Sequence, residues 1–206
     1  MPPKQSPAPD VISNSPWRAL ANHGFRLYFL AQGVSVLGTG VQQVAINWLV
    51  YRLSDSVSLL GVTAFATMAP QLIAGPIAGA WIDRHDARKL LTVIQTLLLV
   101  HAALLAWLTW TGPIDAILLI AMSVLLGVLA SFDIPLRQAL ISHLVTDSRD
   151  LPSAMALNSM ILNAGRLLGP PLAGLVIAAS SEASCFLINA ISFIAPLIVV
   201  MRLQQQ

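Results

Sequence analysis

Long apolar stretches alternate with very short polar ones along this chain. Six apolar runs follow one another at roughly 25 to 52, 58 to 82, 88 to 111, 115 to 133, 152 to 180 and 183 to 202. Each is near or above the ~20 residues that an α-helix needs to cross the hydrocarbon core of a bilayer. Three of the connections, "SDSVS", "TGPID" and "SSEAS", are too short to hold a domain. The pattern predicts an all-α integral membrane protein with six transmembrane helices. Residues 1 to 24 are rich in Pro, Ser and Asn and lack the apolar core of a signal peptide. They are expected to form a cytoplasmic tail, with room for a short interfacial helix from Trp17. The helical domain then covers 25 to 203, and 204 to 206 form a cytoplasmic end.

Composition agrees with the pattern. Apolar residues make up 56% and charged residues 10%, with a mean hydropathy of +0.76, far from a soluble domain. The net charge is only +2, so the position of the charges matters more than their sum, and nothing supports nucleic-acid binding. With the N-terminus inside, Lys4, Arg18, Arg26, Arg84, Arg88, Lys89, Arg137, Arg149 and Arg202 all fall on the cytoplasmic side. Only Arg52 falls outside, and Arg166 lies within a span. Basic residues stay on the cytoplasmic side of a membrane, so both termini are expected there. A lone Cys185 excludes an internal disulfide and a cysteine-rich metal site. It is expected to be packed or lipid-facing, and no cofactor is expected.

The charges concentrate in "GAWIDRHDARKLL", residues 79 to 91, where Asp83, Arg84, Asp86, Arg88 and Lys89 crowd into one turn. Asp86 can cap the third helix, and the basic residues can hold that end inside. A topology anchor needs only Lys and Arg, however. The acids suggest pairing with the bases or with another helix end, so a specific latch stands beside the anchor as a second reading. Gly75 and Gly79, four apart, would let a neighbouring helix come close. In "SFDIPLRQALISHL", Pro135 is expected to open a new helix after the fourth span, with Asp133 and Arg137 four apart and able to pair. That helix is either a plain interfacial connector or part of the latch.

Arg166 lies about 22 Å along a helix that starts near Leu151, deep in the membrane. Such an Arg costs at least ~2.5 kcal/mol and should face protein or water. With the spans drawn as above, acids stand only at the two ends of span four, Asp115 and Asp133, and none is available at membrane depth. Its expected companions are therefore Gln42, Gln43, Asn47 or Asn163, backbone carbonyls, an anionic substrate, or an acid on a partner. Cost alone favours a cavity-lining role over a structural one. The polar residues Gln42, Gln43 and Asn47 in span one, with 43 and 47 on one face, are candidates for substrate contact or for hydrogen bonds between helices. Gly165, Gly169 and Pro170 predict a packing groove and a kink in the fifth span. His101, midway along the third, is expected to be packed or hydrogen-bonded rather than a proton carrier.

Gly79, Asp83-Arg84, Asp86 and Arg88-Lys89 together resemble the signature between the second and third helices of major facilitator superfamily transporters. Asp86 replaces a glycine of the general signature, and that variant is similar to a subgroup of drug and siderophore exporters that includes enterobactin and macrolide efflux proteins. "QQVAINWLVYRLSDS", "FDIPLRQALISHLV", "NAGRLLGPPLAGLVIA" and "CFLINAISF" extend the likeness from Phe25 to Arg202. The resemblance implies that Gly79 and Asp83 contact a helix of a second six-helix half. It further implies that Arg88 bridges to an acid at the end of span four, for which Asp133 is the candidate. The fifth-span stretch resembles an antiporter signature, with Ala173 in place of one glycine, which leans toward export.

The expectation is thus the N-terminal half of an exporter, with three plus three helices, working by alternating access in the lipid bilayer on a small-molecule substrate. The second half would be a separate chain, a continuation of this one, or another copy. Asp83, Arg84, Arg88, Asp133 and Arg137 would form the gate. Gln42, Gln43, Asn47, Asn163 and Arg166 would line the cavity. An enzyme is not expected, because no nucleophile and base or paired carboxylates stand together at membrane depth. A membrane subunit that does not itself transport, or an inactive fragment, is the alternative.

Overall fold

The computed structural model describes residues 18–82, 84–145 and 147–204. Five long helices, α1 (His23–Ser54), α2 (Val57–Ile82), α3 (Ala87–Thr111), α4 (Ala116–Leu144) and α5 (Leu151–Ala179), are followed by α6 (Glu182–Ser192) and α7 (Ile194–Gln204). Together α6 and α7 make a sixth unit, so six units are long and apolar enough to cross a membrane among the described residues. Large side chains face outward on these helices: Leu72, Ile117 and Leu167 are 78%, 77% and 75% exposed. Water would not tolerate such a surface, whereas acyl chains cover it at no cost.

Local chemistry fixes the ends. Asn22, Asp86 and Asp115 cap α1, α3 and α4 by accepting from backbone amides of the first turn. Gly112 closes α3 at φ 89°, a conformation that costs glycine little. The hydroxyls of Thr39, Thr63, Thr67, Thr92 and Ser123 donate to carbonyls four residues back on their own helices. Polar side chains are satisfied in this way without leaving the span.

Two apolar cores occupy opposite ends of the bundle. One joins Leu49, Leu105, Leu119, Ala173 and Phe186 at the end that carries the α1–α2 and α3–α4 connections. The other joins Phe25, Ala78, Leu91, Leu136, Leu140 and Leu157 at the end that carries the charged α2–α3 turn. The two triplets pack reciprocally, α1 on α5 and α4 on α2. Gly75-Pro76-Ile77-Ala78-Gly79 of α2 matches Pro170-Pro171-Leu172-Ala173-Gly174 of α5 in pattern. Ala78 and Ala173 are both fully buried, but in opposite cores, as two repeats of inverted direction require.

Two expectations need correction. First, Pro135 does not begin a helix; α4 runs through it to Leu144. Continuing the helix buries Leu136, Leu140 and Ile141 almost completely, and this gain outweighs the proline's lost hydrogen bond, which membrane helices tolerate. Second, as a result Asp133 and Arg137 are buried inside a span. A span therefore does contain an acid at depth, and Arg137 leaves the tally of loop cations. The sixth span covers Glu182–Arg202, close to the expected run, with a one-residue irregularity at Phe193, where Pro196 cannot donate to the carbonyl of Ser192. A Cβ built at Gly75 or Gly79 meets nothing within 4 Å among the described residues; the helix that their small size would admit is not one of those described.

Residues 18–22 are not a free tail. A short 3-10 helix, Arg18–Ala21, sits over the α4–α5 connection. Arg18 reaches Asp147 at 3.4 Å and Asp150 at 2.7 Å, and the Asn22 amide donates to the Leu144 carbonyl at 3.1 Å. The Arg149 backbone amide, with the guanidiniums of Arg149 and Arg18, holds the Asp147 carboxyl below the usual carboxylate range.

Candidate substrate cavity and charge clusters

Between the two cores lies a cavity of about 300 Å³ whose walls come from both triplets. From α1 it takes Gln42 and Gln43, from α2 Thr67 and Gln71, from α4 Asp133, Arg137 and Gln138, from α5 Asn158 and Arg166, and from α6 Asn189. Amides and charges therefore gather at one depth while apolar side chains fill the ends. Asp133 lies about 26 Å of helical rise from Ala116 and about 17 Å from Leu144. Arg166 lies about 22 Å from Leu151 and about 20 Å from Ala179. Two residues read from the sequence as belonging to different features, the latch and the cavity, thus line the same space.

The Asp133 carboxylate and the Arg137 guanidinium meet at 2.6 Å, with side chains only 10% and 9% exposed. Asp133 Oδ1 and the Tyr28 hydroxyl are buried without a hydrogen-bond partner among the described residues, and Tyr28 lies within electrostatic reach of both charges. Arg137 is thus the partner that Asp133 takes, on its own helix. Gln42 accepts from the Asn189 amide at 2.8 Å, and Ser192 donates to the Asn189 side-chain carbonyl at 3.1 Å. Gln42 is therefore both a cavity residue and a bond between helices.

Two of the expected cavity residues fall elsewhere. Asn47 stands one turn beyond Gln43 at the level of the apolar core of Ile46 and Leu49, with its Oδ1 buried and unpartnered among the described residues. Asn163 is exposed and returns its amide to the Ser159 carbonyl at 2.9 Å. His101 is buried and contacts the Met122 carbonyl at 3.0 Å through Nε2. Cys185 is fully buried.

Asp83 lies outside the described residues. The rest of its turn is ordered by short contacts: Asp86 accepts from the amides of Arg88 and Lys89, and the Arg84 amide donates to Trp81. Arg84 is exposed and Arg88 half-buried. Trp81 meets Phe132 edge-on at 6.0 Å, next to Asp133. This aromatic link between turn and cavity wall has no signature in the sequence, since neither ring belongs to a charge motif.

Glycines set the seams around the cavity. A Cβ on Gly165 would lie 2.5 Å from Val36 Cγ1, and one on Gly169 would lie 2.9 Å from the Gly40 backbone. The groove expected at Gly165 and Gly169 thus holds α1. Gly127 plays the matching part in α4 against Thr67 and Pro70 of α2. Pro170 and Pro171 lie within α5, whose helix continues through them. Gly38, against Asn189 and Ser192, completes the seams. Gly38, Gly40 and Gly127 escaped the sequence reading because glycine spacing alone does not say which face meets a neighbour.

The family model described as transmembrane secretion effector matches residues 14–206. Curated relatives include the staphyloferrin A transporter of Staphylococcus aureus, 30% identical over 171 residues, which are 82% of this chain and 42% of the relative. The multidrug efflux pump Tap of Mycobacterium tuberculosis is 26% identical over 182 residues, 86% of this chain and 43% of that protein. The multidrug resistance protein 1 of Bacillus subtilis is 26% identical over 172 residues, with 84% and 43% covered. The chain spans less than half the length of these relatives.

Proposed function

The chain belongs to the transmembrane secretion effector family of the major facilitator superfamily, a family of transporters and not of enzymes, and on that premise we propose that it forms the N-terminal half of an exporter. The observation that carries this reading is the cavity, a largely apolar wall set with amides and charges, held between two apolar cores by helices of both triplets. Its cargo would be a drug, a siderophore or a similar small molecule, moved by alternating access at the interface with a second six-helix half. The names of the relatives, a siderophore transporter and multidrug pumps, support that range.

The cytoplasmic gate in this reading is the turn with Gly79, Asp83, Arg84, Asp86 and Arg88, together with Asp133 and Arg137. Arg137 holds Asp133 in the present state, and Arg88 at the start of α3 is its candidate partner in the other. Two alternative pairings of one acid make a bistable element that cargo or protons can bias. The open faces of Gly75 and Gly79 leave room for a helix of the second half, and both termini would lie in the cytoplasm.

The test is energy-dependent efflux of a dye, a macrolide and a catecholate siderophore from a bacterium lacking its major exporters. Asp83→Asn and an empty vector serve as controls. Efflux that Asp83→Asn abolishes supports a gated exporter. Absence of efflux, with the protein present in the membrane, favours a subunit that does not transport.

A further inference from the structure

Resting on the transporter reading, we infer that the cavity is built for cargo bearing a negative charge, a carboxylate or another small oxyanion, and that Arg166 receives it. Charged side chains on the wall are Asp133, Arg137 and Arg166. Asp133 and Arg137 neutralise each other at 2.6 Å. Arg166 forms no ion pair with a carboxylate among the described residues. Among the described residues the cavity therefore carries one uncompensated positive charge.

Depth makes that charge informative. Arg166 is close to the midpoint of α5, where an unpaired cation is costly and is kept only when something repays the cost. It is exposed rather than folded onto an acid of its own bundle. A ligand that supplies the countercharge recovers the lost stabilisation on binding. Guanidinium is suited to this role because its planar N–H donors grip two oxygens of a carboxylate or phosphate at once.

The rest of the wall points the same way. Gln43, Gln71, Gln138 and Asn158 line the same cavity. Neutral amides such as these can donate to further oxygens of a polar anion without adding charge. A cationic cargo would face two guanidiniums and a single carboxylate that is already engaged. It would also lack the aromatic faces that hold organic cations, since Phe193 is the one aromatic residue on the wall among the described residues.

The experiment places the product of the complete reading frame in lipid nanodiscs and follows its thermal unfolding with citrate, trimethyl citrate and tetraphenylphosphonium. Citrate is expected to raise the midpoint saturably, and the ester and the cation to leave it unchanged. Arg166→Gln is expected to weaken citrate at least tenfold, with Arg166→Lys recovering part of the loss. Failure of citrate to stabilise the protein, or equal citrate affinity in Arg166→Gln, overturns the inference. If Arg166→Gln keeps citrate affinity but melts lower, Arg166 is a partner for a helix of the second half, which overturns it too. The efflux assay judges the transport reading separately: dye efflux without citrate binding leaves an exporter and removes the anion site.

Discussion

Asp133 and Arg137 stand one turn apart on α4 and meet at 2.6 Å inside the bundle, on the wall of the cavity that Arg166 also lines. A buried ion pair adds little net stability, but removing one member strands the other charge. We therefore expect Asp133→Asn or Arg137→Gln alone to cost roughly 3 kcal/mol, and the double variant to cost less than the sum. A double-mutant cycle on unfolding in detergent measures this. Additive losses would mean that the pair is not coupled.

Gly40 makes a second test. A side chain there would press on the Gly165 carbonyl, which a Cβ would approach to 2.5 Å, whereas Gly61 has nothing within 4 Å among the described residues. Gly40→Val should destabilise the fold by about 1–3 kcal/mol through separation of α1 and α5. Gly61→Ala should be neutral or stabilising by up to about 1 kcal/mol, since alanine favours helix. Comparison of the two melting temperatures decides the matter.

The bond from Asn189 to Gln42 gives a third. Either residue changed to Leu leaves a buried amide unpaired, at a cost of roughly 0.6–2 kcal/mol for a bond between membrane helices. Changing both should restore part of that loss, because no amide is then stranded. The readout is again the unfolding midpoint, with the double variant expected above the worse single one.

Topology can be read with the native cysteine left in place, since Cys185 is fully buried and should not react. Pro113 and Arg84 are exposed in connections at opposite ends of the bundle. Pro113→Cys should react with an impermeant maleimide added to intact cells, and Arg84→Cys only after the membrane is opened. The reverse result would invert the proposed orientation.

Much of the fold was legible because bilayer thickness imposes a length on every span, and the six apolar runs meet it. The caps were also readable in part: Asp86 begins α3 as its position before an apolar run implied. Pro135 misled because a proline that starts helices in water can lie within one in a membrane, where the apolar residues beyond it decide. That error placed Asp133 at the end of span four and Arg137 on a separate connecting helix, and so parted both from the cavity that Arg166 lines. Gln43 and Asn47 share a face as their spacing indicates, yet the cavity ends between them. Its extent depends on how six helices cross, which no local pattern records.

In the proposed cycle the cavity is the passage that opens alternately to the two sides. The direct measurement is alkylation of Ala130→Cys, a wall position on α4, by an impermeant maleimide in right-side-out and inside-out vesicles of the complete gene product. Reaction is expected from both sides, with cargo shifting the balance between them. Reaction from one side alone under every condition, or from neither, would contradict that cycle.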